Sequence, residues 1–295
     1  MKIGNKNITK KVFNNKVVLK EVLNGSTIYE NASAENPYLT FSSNNSFTLE
    51  VVDHLKYWDG TIEYSTDTTT WNTWDGTTAL SSVNNKLYLR GTGNSYIISD
   101  SISITANNPK AYWVLTGSNI NCNGNIENLL DYQTVANGNH PTMAAFCYNY
   151  MFYNCTALIS APKLKAVDLS ACCYYGMFVG CSNLTVAPKL HATTLKGWCY
   201  NYMFMGCTNL TTIPNLPAIT LTDYCYTGMF YGCSKIKLST TQTGEYTQVY
   251  RIPTSGTGTT ATSALDTMFN NTGGTFTGTP TINTTYYLSN TNTIV

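Results

Sequence analysis

Between residues 35 and about 115, apolar and polar side chains alternate in runs of strand length: Leu39 and Phe41, Phe47 and Leu49, Ile62 and Tyr64, Leu87 and Leu89, Ile102 and Ile104. A period of two puts the apolar members of each run on one face of a strand. Asp59-Gly60, Asp75-Gly76 and Asn84-Asn85 separate the runs as turn signals, and no helical stretch intervenes. This pattern predicts an antiparallel, Ig-like β-sandwich over residues 35–115. Upstream, Val17, Val18, Leu19, Val22 and Leu23 lie between the turn signals Asn14-Asn15 and Asn24-Gly25, which predicts a small β-arm over residues 1–34.

From residue 147 the period changes. Cys147, Cys173, Cys199 and Cys225 each open a unit of 26 residues, in which Met151, Met177, Met203 and Met229 keep phase with Phe152, Phe178, Phe204 and Phe230 and with Cys155, Cys181, Cys207 and Cys233. A fixed period in the twenties with recurring Leu is the signature of a leucine-rich solenoid. Within the first unit, Cys147, Tyr148, Met151, Phe152 and Cys155 have the spacing of one face of a short helix. Leu158, Pro162, Leu164, Val167 and Leu169 read as a strand and return loop. Asn154, Gly180, Gly206 and Gly232 share one position, and these residue types enter the left-handed region cheaply, so the chain is expected to turn there. Burying about eight apolar side chains at ~2 kcal/mol each cannot offset ordering 26 residues at ~1–2 kcal/mol apiece, so units must stack and be capped. Residues 116–146, with Ile126, Leu129 and Leu130, read as the N-terminal cap, residues 147–238 as repeats, and residues 239–295, with an echo at Met268-Phe269-Asn270-Asn271, as the C-terminal cap. The fold class expected is mainly β with short helices: β-arm, sandwich, then a solenoid within residues 116–295.

Composition narrows the function. The 295 residues carry 17 Lys and Arg against 16 Asp and Glu, which leaves no basic excess for nucleic acid. No apolar run is long enough for a membrane span or has the form of a secretion signal, so the chain is expected not to insert into a membrane and to be made in a cytoplasm. Eight of the ten cysteines fall on the two repeat ladders, which makes them buried thiols rather than disulfides; Cys172 falls outside. His54, His140 and His191 lack metal-ligand spacing, the loop Asn121, Asn123, Asn125, Glu127 lacks the aspartates of a calcium site, and a Cys147–His140 nucleophile pair is nonspecific. The expectation is no metal, no cofactor and no catalysis. The candidate ligand-binding surface is Asn149, Tyr150, Tyr153, Asn201, Tyr202 and Tyr231 on the outward side of the repeats, with Trp58 and Trp74 beside the Asp-Gly turns. Lys2, Lys6, Lys10, Lys11 and Lys16 make the arm a candidate anchor to an acidic partner surface.

The units, with MF-x-[GN]-C followed by a Leu strand and an Ala-Pro or Ile-Pro turn, resemble the BspA-type leucine-rich repeats of gut-bacterial surface proteins and of phages infecting those bacteria. IEYSTDTTTW, KLYLRGTGN, CNGNIENLLD and QTGEYTQVYRIPTSGTG are similar to segments flanking such arrays, and KVFNNKVVLKEVLNGSTIYE resembles the β-arm openings of phage virion proteins. The resemblance implies a virion structural protein, a head or tail fibre or decoration subunit. It would assemble as a homo-oligomer in the host cytoplasm, hold other virion proteins through its arm, and meet a host-surface glycan or protein through its repeats. A bacterial cell-surface adhesin is the alternative it implies.

Overall fold

The computed structural model describes residues 36–52, 56–98 and 109–295, and ahead of them the backbone of four strands. The chain is mainly β, with several sheets, no closed barrel, and one short α-helix among the described residues. Strands β1 (Lys2–Ile3), β2 (Lys6–Phe13), β3 (Lys16–Leu23) and β4 (Ser26–Tyr29) form an antiparallel sheet in sequence order. Phe13 pairs with Lys16 and Leu23 with Ser26, so the chain reverses where the Asn14-Asn15 and Asn24-Gly25 signals place it. Lys2 lies on β1, Lys6, Lys10 and Lys11 on β2, and Lys16 opens β3.

The alternating runs are strands. They form β5 (Leu39–Ser42), β6 (Thr48–Val51), β7 (Thr61–Ser65) and β10 (Lys86–Thr92), joined by β8 (Asn72–Trp74), β9 (Leu80–Ser81), β11 (Trp113–Thr116) and β12 (Ile120–Asn123). The predicted run at Ile102 and Ile104 lies outside the described residues. At Asn84-Asn85 both φ angles are positive (49° and 60°) between the bridged pair Val83 and Lys86, the conformation that lets a two-residue turn follow the strand twist. A six-stranded sheet, ordered β13-β12-β5-β10-β7-β8, and a three-stranded sheet, β11-β6-β9, share one core of Leu39, Phe41, Leu49, Ile62, Leu87, Leu89 and Trp113. Its first member, β13 (Leu158–Ser160), belongs to the first repeat and pairs parallel with β12. The helix α1 (Asn128–Ala136) follows β12, and Ile126, Leu129 and Leu130 are fully buried. Arg90 of β10 is held between the Trp71 and Tyr132 rings, 4.0 and 4.5 Å from their centroids, while its Nε donates to Glu63 at 2.8 Å.

The repeat segments 147–155, 173–181, 199–207 and 225–233 are not helices, which corrects the reading of their spacing. They are runs of turns. In the first, the amides of Asn149, Met151, Tyr153 and Cys155 donate three residues back, whereas those of Tyr150, Phe152 and Asn154 donate sideways to Tyr175, Met177 and Val179 of the next segment at 2.8–2.9 Å. A helix would spend every amide within its own segment; here alternate amides join one coil to the next. The geometry needs positive φ at Phe146, Tyr148, Tyr150 and Asn154. A left-handed conformation costs ~1–2 kcal/mol at a residue with a Cβ, so something must hold the aromatic residues there.

The amides shared between coils do, and two aromatic columns run alongside them. Phe152, Phe178, Phe204, Phe230 and Phe269 stack with centroids 5.5–5.7 Å apart and planes within 9°. Tyr148, Tyr174, Tyr200 and Tyr226 stack at 5.5–5.9 Å. Each ring pair adds ~0.5–1.5 kcal/mol to the burial of its area. Phe269 belongs to a fifth coil, because Tyr226, Gly228, Phe230 and Gly232 donate to Ala264, Asp266, Met268 and Asn270; the echo in the sequence is a structural rung. Trp113 packs on both Phe41 and Phe152, so the core runs unbroken from the sheets into the coils.

All ten cysteines are free and buried. Cys155, Cys181, Cys207 and Cys233 each donate Sγ–H to the carbonyl of Trp113, Phe152, Phe178 or Phe204 at 3.0–3.1 Å, spanning to the preceding layer. Burial pushes the Cys155 and Cys173 thiols up to about 12 and Cys225 up to about 11. The far end of the stack is closed by β15 (Leu238–Ser239), β16 (Tyr246–Arg251) and β17 (Thr285–Ser289), ordered β15-β17-β16. β18 (Thr293–Ile294) returns to pair parallel with β14 (Thr212–Ile213) of the third coil. The fully buried Asn292 donates to the carbonyls of Thr211 and Lys235 and accepts from the amide of Lys237.

Candidate ligand-binding surface

Outward of the Phe and Tyr columns lies a second apolar cluster, made only by the turn segments. Tyr150, Cys172, Tyr175 and Val179 form its buried floor; Phe146, Tyr153, Trp198, Tyr202 and Met205 lie half-buried around them. The rings touch in series. Tyr112 meets Tyr153 at 5.4 Å, Tyr153 meets Tyr150 at 5.7 Å, Tyr150 meets Tyr175 at 5.2 Å and Tyr175 meets Tyr202 at 6.3 Å, all edge-to-face. Trp198 lies flat on Tyr224, with centroids 4.1 Å apart and planes 14° apart. Burial, and then the neighbouring Tyr150, pushes the Tyr175 phenol well above its usual range; burial alone pushes the Cys172 thiol up to about 11. This cluster is an aromatic strip crossing from the sheets to the fourth coil.

Glycine sets its shape. Tyr150 and Tyr202 occupy the position held by Gly176 and Gly228 in the coils that follow them, all four with φ between 52° and 58°. A Cβ on Gly176 would lie 2.4 Å from Tyr150 Cε1, and one on Gly228 would lie 2.2 Å from Tyr202 Cε1. Each tyrosine ring fills the space its neighbour's missing side chain leaves.

Of the sequence candidates, Tyr153, Tyr202 and Tyr231 are half-buried on this face. Five others are corrected. Asn149, Tyr150 and Asn201 are buried, at 1%, 2% and 0% exposure, because a run of turns swings them inward where a helix would have turned them out. The Asn201 amide donates to the Tyr224 carbonyl at 3.0 Å and so ties coil to coil. Tyr150 forms the floor beneath Tyr153. Trp58 and Trp74 are also buried, with their rings tilted against each other 5.2 Å apart and Trp74 edge-on to Trp113 in the core, so neither ring is offered to a ligand. The residues missed were Tyr112, Tyr175, Trp198, Met205 and Tyr224. Trp198 and Tyr224 stand two and three periods after Phe146, so reading that column would have found them.

The nucleophile pair does not form. Cys147 is fully buried and its thiol is pushed well above the ordinary value, chiefly by burial, opposite to what nucleophilic attack needs. His140 Nδ1 instead lies 2.8 Å from the fully buried Glu127 carboxylate, which also accepts from the Asn125 amide at 3.2 Å. Both line a cavity of about 360 Å³ with Met143, Asp168, Ser170 and Lys196. Asn121 accepts from Ser160 on the neighbouring strand, apart from that group, and His191 Nδ1 meets the Leu164 carbonyl. His54 lies outside the described residues. No cluster of three or more His, Cys, Asp or Glu suited to a metal occurs among the described residues, and no helix there is long and apolar enough to cross a membrane. No family model matches this sequence, and no curated protein or solved structure matches it either.

Proposed function

We propose that this chain is a structural protein of a bacteriophage particle, a fibre or decoration subunit whose coils form a BspA-type leucine-rich-repeat solenoid behind an Ig-like sandwich. In this reading, residues 1–34 anchor the subunit to other virion proteins, with Lys2, Lys6, Lys10, Lys11 and Lys16 facing an acidic seat. The aromatic strip meets the host envelope. The observation that carries the binding role is the strip itself: half-buried Tyr153, Trp198, Tyr202, Tyr224 and Tyr231 on one side of stacked coils. Aromatic rings with a polar tip gain most from contact with a partner that is part apolar and part hydrogen-bonding. The virion placement rests on the likeness of KVFNNKVVLKEVLNGSTIYE to virion β-arms. The strip is a recognition surface and carries no chemical step.

Cryo-electron microscopy of purified particles tests the placement. Density for the coils projecting from the particle, with residues 1–34 at its base, is expected; intact particles lacking this chain would overturn the reading. The repeats' likeness to gut-bacterial surface proteins favours the second reading, a cell-surface adhesin. Neighbouring secretion or anchoring genes in place of capsid, portal or tail genes would select it.

A further inference from the structure

We propose that the aromatic strip takes an uncharged polysaccharide, laid along the stack so that one chain spans the first, third and fourth coils. The proposal rests on the binding reading above and names the ligand class. Its first support is charge. No charged residue occurs in segments 146–154, 172–180, 198–206 or 224–232, which supply the strip. An acidic polymer would lose water from its carboxylates there without gaining a cation, and the desolvation would go uncompensated. A neutral pyranose loses little: its C–H face packs on a ring while its hydroxyls bond the Tyr hydroxyls and the Trp198 indole N–H.

Repetition is the second support. The coils recur every 5.5–5.7 Å along the Phe column, the length scale of one sugar in an extended chain. A polymer can then engage Tyr153, Trp198 with Tyr202, and Tyr224 with Tyr231 together, and each contact makes the next intramolecular. Preorganisation is the third. The Tyr150–Gly176 and Tyr202–Gly228 interlocks and the ring series from Tyr112 to Tyr202 fix the strip before a ligand arrives, so little side-chain ordering is left for binding to oppose.

The test uses the full chain and envelope polysaccharide of the host strain, split by anion exchange into uncharged and acidic fractions, with binding read by calorimetry. The uncharged fraction is expected to bind equally in about 0.1 M and about 1 M salt, although the screening length falls from ~10 to ~3 Å. Long fragments should bind at least about tenfold tighter than disaccharides. Tyr231→Ala and Trp198→Ala should each weaken binding about fivefold or more, while Ile219→Ser, a 53%-exposed position in the return loop, leaves it unchanged. Tyr231 is half-buried and takes part in no ring pair among the described residues, so Tyr231→Ala is expected to keep the parent's circular dichroism and keeps the test valid should Trp198→Ala unfold. Binding confined to the acidic fraction and lost at high salt would overturn the proposal. So would self-association through the strip, seen as a concentration-dependent mass that Trp198→Ala abolishes. If whole host cells bind and Tyr231→Ala reduces it, yet the uncharged fraction does not bind, the ligand class is wrong and the binding role stands. If neither variant alters cell binding, both fall.

Discussion

Replacing Gly176 by alanine separates two costs that the coils combine. The first is conformational: Gly176 has φ +56°, and an L side chain there costs ~1–2 kcal/mol. The second is steric. The new Cβ would lie 2.4, 2.7 and 3.0 Å from three ring carbons of Tyr150, a ring fixed between Tyr153 and Tyr175. Overpacking of that kind costs ~1–3 kcal/mol, so Gly176→Ala should destabilise by about 2–5 kcal/mol. Gly206 provides the internal reference. Its φ is +74°, but a Cβ there would have its nearest neighbour at 3.7 Å, so Gly206→Ala should show the conformational cost of ~1–2 kcal/mol alone. Urea unfolding of Gly176→Ala, Tyr150→Ala, the double variant and Gly206→Ala, read by circular dichroism, closes the cycle. A coupling of about 1–3 kcal/mol between positions 150 and 176 is expected. Equal losses for the two glycines, or a coupling below ~0.5 kcal/mol, would refute the interlock.

Three further outcomes follow from the same coil geometry. Deleting residues 173–198 sets Tyr150 against Tyr202 in adjacent coils, where each now faces a glycine, and should abolish cooperative unfolding, as a thermal melt will report. Stability should be flat from about pH 6, above the carboxylate range, to the free-thiol value of 9.0 and fall above it: the folded thiols of Cys155 and Cys173 are held up to about 12, so the unfolded chain ionises first. The slope is about 1.4 kcal/mol per pH unit for each such thiol, and urea midpoints that stay level from pH 8 to 11 would contradict it. Asn292→Ala leaves the Lys235 carbonyl and the Lys237 amide without their partner and leaves the Thr211 carbonyl only the Thr293 amide, and should cost on the order of 3 kcal/mol; amide exchange at Lys237 should quicken before exchange elsewhere.

Much of this architecture can be read from the residues. Strands β5, β6, β7 and β10 follow from alternation with a two-residue period, and the antiparallel pairing of β2 with β3 and of β3 with β4 agrees with the Asn-Asn and Asn-Gly signals between them. Column 154, 180, 206, 232 was readable because Asn and Gly announce positive φ, and the structure gives 54–74° there. Column 148, 174, 200 was not, since nothing about tyrosine announces a left-handed backbone. That conformation is imposed by amides shared between coils, a long-range demand that overrides local spacing. The inside of each unit survived the error: Cys147, Tyr148, Met151, Phe152 and Cys155 are all buried whether the segment is a helix or a run of turns. The outside did not, because the faces of the two conformations differ, and so Asn149, Tyr150 and Asn201 were assigned to the wrong side. Trp58 and Trp74 misled for a different reason. A tryptophan next to a turn can point either way, and only the meeting of two sheets over Trp113 decides it.

The pairing of β18 with β14 carries a kinetic consequence. Thr212 and Ile213 of the third coil can fold against their own neighbours early, but their other edge is completed by residues lying 81 positions further on. During synthesis the third coil therefore holds an open strand edge while the fourth coil, the fifth coil and the β16–β17 pair are still being made. An unpaired edge accepts any passing strand, including the same edge on another nascent chain. The interval between making residue 213 and docking residue 294 is thus when chains are most prone to join each other. A lower level of expression leaves fewer nascent chains to meet during that interval and should raise the yield of soluble protein.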